Sequence, residues 1–154
     1  MNKYILITIG AMLLFEGTVL GGVGSHNTMY VGGTVKTIKQ GAEGKISTAD
    51  DKAFTFTQKR VTLAIPYEKV NALEYGQKAG RRLGLAIVLS PIALLSKKRK
   101  HFLTISYLDE NDKQQAAVFE LGKDIVRTTL ASVQARSGRK IEFQDEEARK
   151  AGAN

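Results

Sequence analysis

The 154 residues contain no cysteine and no tryptophan, and histidine occurs only as His26 and His101. Without cysteine there is no disulfide, no thiolate metal site, no thiol nucleophile and no lipid-modified N-terminal cysteine. Two isolated histidines leave almost no scope for a histidine metal site or for histidine general-base chemistry. Proline is confined to Pro66 and Pro91. No uninterrupted apolar run reaches the ~20 residues of a membrane-spanning helix. One further absence is local. Between Lys78 and His101 there is no acidic residue at all.

That segment reads KAGRRLGLAIVLSPIALLSKKRKH. A fourteen-residue apolar run, Leu83 to Ser96, lies between Arg81-Arg82 and Lys97-Lys98-Arg99-Lys100. Residues 1–77 carry 8 basic and 6 acidic side chains, residues 78–101 carry 7 and none, and residues 102–154 carry 8 and 9. Nearly all of the chain's net charge of +8 therefore resides in these 24 residues.

The length suits one domain of ordinary size, able to bury roughly two-thirds of its extended-chain surface. The N-terminus, MNKYILITIGAMLLFEGTVLGGVG, has one early lysine, an apolar stretch from Tyr4 to Phe15, and small residues after it. This is the pattern of a secretory signal peptide over residues 1–24, which implies an exported, periplasmic or membrane-associated protein. An uncleaved anchor, a buried first strand and a misassigned start are the other readings, and Glu16 interrupts the anchor.

Residues 25–143 read as the folded domain. Short strands are expected over Tyr30–Lys39, Lys45–Thr48, Ala53–Thr57, Val61–Ile65, Val70–Tyr75, Phe102–Leu108 and Ala116–Leu121, with turn residues between them. Alternation places Phe54 and Phe56 on one face, turns Val61, Leu63 and Ile65 inward, and sets Val118 and Phe119 on opposite faces. Pro66 ends its strand because it cannot donate to a ladder. From Asp124 to Ser137 the period becomes helical, with Val126, Leu130 and Val133 on one side, a start capped by Gly122 or Asp124, and Gly138 as the left-handed stop. Lys140–Phe143 reads as a last strand, and 144–154 as a polar tail that frays or forms a loose helix. The expected fold class is mainly β (α+β): a small antiparallel barrel or sandwich of about seven strands, one C-terminal helix, and an apolar hairpin insertion at 83–96.

The stretch KAFTFTQKRVTLAIPYEKV resembles the Phe-x-Phe and Ile-Pro-Tyr-x-x-Val pattern of bacterial pleckstrin-homology-like, GRAM-type domains. HFLTISYLDENDKQQAAVFELGKDIVRTTLASVQARSG is similar to their closing hairpin and C-terminal helix. The resemblance spans roughly residues 30–143, extends to exported bacterial proteins, and implies a PH-like fold. It rests on core positions and carries little about function. The insertion at 83–96 departs from the family pattern. Lys36, Lys39 and Lys45 do not reproduce the family's Lys-x(n)-Arg phosphoinositide signature across the first hairpin.

Fourteen helical residues would span about 21 Å, short of the roughly 30 Å hydrocarbon core. Pro91 would break that helix, and cations on both flanks keep both ends on one side of a bilayer. These features point to a re-entrant tip on an anionic membrane. Arg81, Arg82, Lys97, Lys98, Arg99 and Lys100 would contact headgroups, and Leu85, Ile87, Val88, Leu89, Ile92, Leu94 and Leu95 would insert. Two other readings stand beside this one: the run packs into the protein's own core, or it meets a partner or a second copy.

Nucleic acid is not expected as a partner, because no aromatic residue lies among the cations to stack a base. GRRLG lacks the lysine and Ser/Thr of a phosphate loop. The carboxylate pairs Glu68/Glu74 and Asp109/Asp112 read as solvated, and no nucleophile–base pair is evident. The expectation is a non-enzymatic membrane-associating module, without metal or cofactor.

Overall fold

The computed structural model describes residues 26–78, 88–89 and 100–153. The chain is mainly β. Among the described residues nine strands form one sheet: β1 His26–Gly33, β2 Ala42–Ser47, β3 Ala53–Gln58, β4 Val61–Pro66, β5 Val70–Gly76, β6 Val88–Leu89, β7 His101–Leu108, β8 Gln114–Leu121 and β9 Ile141–Phe143. Two helices follow, α1 Val126–Ser137 and α2 Glu146–Ala153, and a 3-10 turn at Tyr67–Lys69 joins β4 to β5.

The strand order is β4-β3-β2-β1-β8-β7-β5-β9, with β6 added to β1. Among the described residues β4 and β9 end this order, so where a small barrel or sandwich was expected the sheet is open. The pairs are antiparallel apart from β5 with β9, which the chain joins through β7, β8 and α1 and which run parallel.

Phe119 of β8 is the hub of the main core. Its ring lies 5.2 Å from Phe54, 5.3 Å from Phe56 and 5.9 Å from Tyr30, centroid to centroid. Val126, Leu130 and Val133 bring the apolar stripe of α1 onto the same cluster, as their spacing predicts. Gly138 terminates α1 at φ 67°, donating its N–H to the Gln134 carbonyl at 3.0 Å. The start differs from expectation. Ile125, one residue later than expected, is the N-cap and is buried.

The other departures have local causes. β1 ends at Gly33 rather than Lys39, where the backbone takes a positive φ of 144°. Residues 34–41 then form a loop held by buried Ile38, with Lys36 and Lys39 exposed. β4 overhangs the core. Ile65 is buried and Leu63 half-buried, but Val61 is 40% exposed and does not face inward. Of the two forms expected for the polar tail, the helix is found, as Glu146–Ala153. α2 docks through fully buried Ala148 and through Gly152, which lies against Phe143, Leu130 and Tyr75.

Phe119→Ala is expected to lower the unfolding free energy by about 3–5 kcal/mol, as for a large aromatic removed from a packed core. Val61→Ala on the overhanging edge should change it by less than about 0.5 kcal/mol. Urea unfolding of the two variants checks the gradient from β8 to β4.

Candidate functional site

The basic, apolar segment is rooted where β5 ends and β7 begins. These strands pair antiparallel, and Gly76 lies directly opposite Phe102. The residues that border the segment on either side, Gly76 and Phe102, are therefore neighbours across two paired strands, while Val88–Leu89 within it pairs with β1.

Gln144, just after β9, ties this root down. Its backbone N–H donates to the Tyr75 carbonyl at 3.0 Å. Its side-chain amide donates to Glu74 Oε1 at 2.8 Å and to the Lys78 carbonyl at 2.9 Å. Glu74 is 5% exposed, so this is a carboxylate withdrawn from water and satisfied by an amide. Gly76 makes room for the arrangement, because a Cβ at that position would overlap the Gln144 side chain.

On the returning side, Lys100 Nζ reaches Glu120 Oε2 at 2.8 Å, with both side chains about one-fifth exposed. His101 follows, its Nδ1 2.5 Å from the Tyr75 hydroxyl. Burial pushes the Tyr75 phenol up to about 12. Burial, then the nearby Lys123 ammonium, holds the His101 imidazole below its ordinary 6.5, with Glu120 opposing. The Tyr75 hydroxyl and His101 Nδ1 share one hydrogen bond, whose donor is set by the imidazole tautomer.

Two of the expected inserting residues, Val88 and Leu89, form β6, paired with Gly33 and Gly32 of β1. Leu89 is half-buried against Val31, Phe102 and Val118, on the sheet face opposite α1. Of the expected headgroup cations, Lys100 is described, and it is paired with Glu120. Arg81, Arg82, Lys97, Lys98 and Arg99 lie outside the described residues, as do Leu85, Ile87, Ile92, Leu94 and Leu95 and the expected signal peptide. Among the described residues, no helix is long and apolar enough to cross a membrane.

Gln144, Glu74 and Gly76 were not recognisable in the sequence as parts of this site. A glutamine in a polar tail and a glutamate in a strand look like solvated residues until the parallel β5–β9 pairing joins them. No protein-family model and no curated protein matches the chain.

Gly76→Ala and Gln144→Ala should each cost about 1–3 kcal/mol by leaving Glu74 buried without its donor. The double variant should cost less than the sum, since both act on one contact. Urea unfolding of the three proteins tests this.

The unfolded chain binds the His101 proton more readily than the folded one. This contribution to stability is therefore complete above the ordinary imidazole pKa and is lost as pH falls from there towards the lower folded value. Thermal melts of the parent and of His101→Asn between about pH 7 and pH 5 should show a shallower loss in the variant.

Proposed function

We propose that this protein is a non-enzymatic, PH-like module that associates peripherally with an anionic membrane surface, on the exported side of the cell, through residues 81–100. One observation carries the reading. Residues 78–101, which hold 7 basic and no acidic side chains, are bordered by the paired ends of β5 and β7. The two ends of the segment are thus on neighbouring strands, which suits a surface-seeking element. Each cation near an anionic surface contributes on the order of 1 kcal/mol, less when crowded. Arg81 and Arg82, with Lys97, Lys98 and Arg99, would meet phosphates. Apolar side chains such as Ile92, Leu94 and Leu95 would add about 25 cal/mol per Å² buried. The PH-like assignment is supported by the Phe-x-Phe of β3, by Ile65-Pro66-Tyr67 leading to Val70, and by the closing hairpin followed by a helix.

A second reading, contact with a protein partner or another copy, is favoured by β6. A two-residue strand already adds to the edge of β1, and Leu89 packs on protein. Such edge pairing is how extended segments of one chain recognise another.

Co-sedimentation with neutral and anionic vesicles at low and high salt separates the two readings. Binding is expected to require anionic lipid and to persist in part at high salt. Ile92→Asp with Leu94→Asp should reduce it at least tenfold while circular dichroism stays unchanged. Vesicle binding unaffected by this pair would refute insertion. A concentration-dependent oligomer without vesicle binding would establish the second reading.

A further inference from the structure

The sheet face opposite α1 is dry. Phe102, Thr104 and Ser106 of β7 pair with Glu120, Val118 and Ala116 of β8, so these residues share that face. Val31, Phe102, Thr104, Ser106, Ala116 and Val118 are each 4% exposed or less. The Ser106 hydroxyl is buried without a hydrogen-bond partner among the described residues. Such burial at the middle of a sheet needs a covering layer. The described side chain packed there is Leu89, which meets Val31, Phe102 and Val118.

We infer that this face is the docking site of the chain's own residues 79–99, so that the proposed membrane-binding segment is held on its own sheet in solution. Three fixed points belong to that segment or border it: Lys78 bonded to Gln144, Val88–Leu89 paired with β1, and Lys100 bonded to Glu120. A chain joining these points over the shortest route would cross the face. From β5 to β6 there are four strand spacings, about 19 Å at ~4.8 Å each. The connecting residues 77–87 can reach about 36 Å when extended. Residues 90–99 return over three spacings, about 14 Å. Charge agrees with this placement. Glu74 and Glu120 lie on this face through their pairing with Thr104 and Phe102, and Glu43 shares it through Met29. The segment offers cations only, and the Lys100–Glu120 pair is one such contact.

The consequence rests on the membrane reading. The same apolar side chains cannot cover the sheet and enter a bilayer, so the two surfaces compete for them, and docking weakens membrane affinity by the population it withholds.

The natural absence of cysteine makes the test direct. In the full chain carrying Ile92→Cys, reaction with a water-soluble maleimide should be at least tenfold slower than in urea, independent of protein concentration. Reaction as fast as in urea would overturn docking and leave the N-terminal residues to cover the face. Protection that grows with concentration would overturn the same-chain occupant in favour of a second copy. Gly32→Cys with Leu89→Cys locks β6 to β1. The oxidised protein should bind anionic vesicles at least tenfold more weakly than the reduced one, and equal binding would overturn the competition. If Gly32→Cys does not fold, the Ile92→Cys protection alone decides docking. If the reduced protein binds no vesicles, the membrane reading fails while the protection result still stands.

Discussion

The structure depends on the burial of β7 and β8 from both sides. Along β8, Ala116, Ala117, Val118 and Phe119 are consecutive and all buried, and along β7 the same holds from Phe102 to Tyr107. A strand in a two-layer domain normally offers one face to water. Here Phe119 sends its ring into the aromatic cluster beneath α1, while Val118, its neighbour, lies with Val31, Phe102 and Leu89 on the opposite side. The helix satisfies the first requirement. The second needs another layer, to which Leu89 belongs among the described residues.

The C-terminal end of the chain has a comparable double role. β9 adds a parallel strand beside β5, and the residue after it, Gln144, secures Glu74 and the point where the segment departs. α2 then closes over Phe143 and Tyr75, with Ala148 and Gly152 against the core. Tyr75 links the two regions, since its ring packs against Phe143 while its hydroxyl holds His101 at the returning end. Anchoring the segment and completing the core thus draw on the same few residues.

Alternation and periodicity placed β3, β4, β5, β7, β8 and α1 close to their observed positions, but not β1 or β6, because a half-buried strand or helix writes its buried face into the order of its residues. Phe54 and Phe56, Val118 against Phe119, and the α1 stripe were all legible in this way. Val61 was not. Its alternation matches Ile65, but the overhang of an edge strand depends on how many strands lie beyond it, which local pattern does not carry. Ala148 and Gly152 were also hidden, since small residues among charges look the same in a solvated helix as in a docked one.

The sequence by itself determined where the unusual chemistry lies: a short, Pro-interrupted apolar run with cations on both flanks, no acid among them, and no cysteine anywhere. These are properties of composition and order, and folding cannot alter them. Only the tertiary structure decided which groups meet. The pairing of Gly76 with Phe102 joined the two roots, β6 brought Leu89 onto the face opposite α1, and Glu120 took up Lys100. Each contact joins residues far apart in the chain. Such contacts are set by strand order and register, which arise from the packing of the whole sheet and not from any one stretch of sequence.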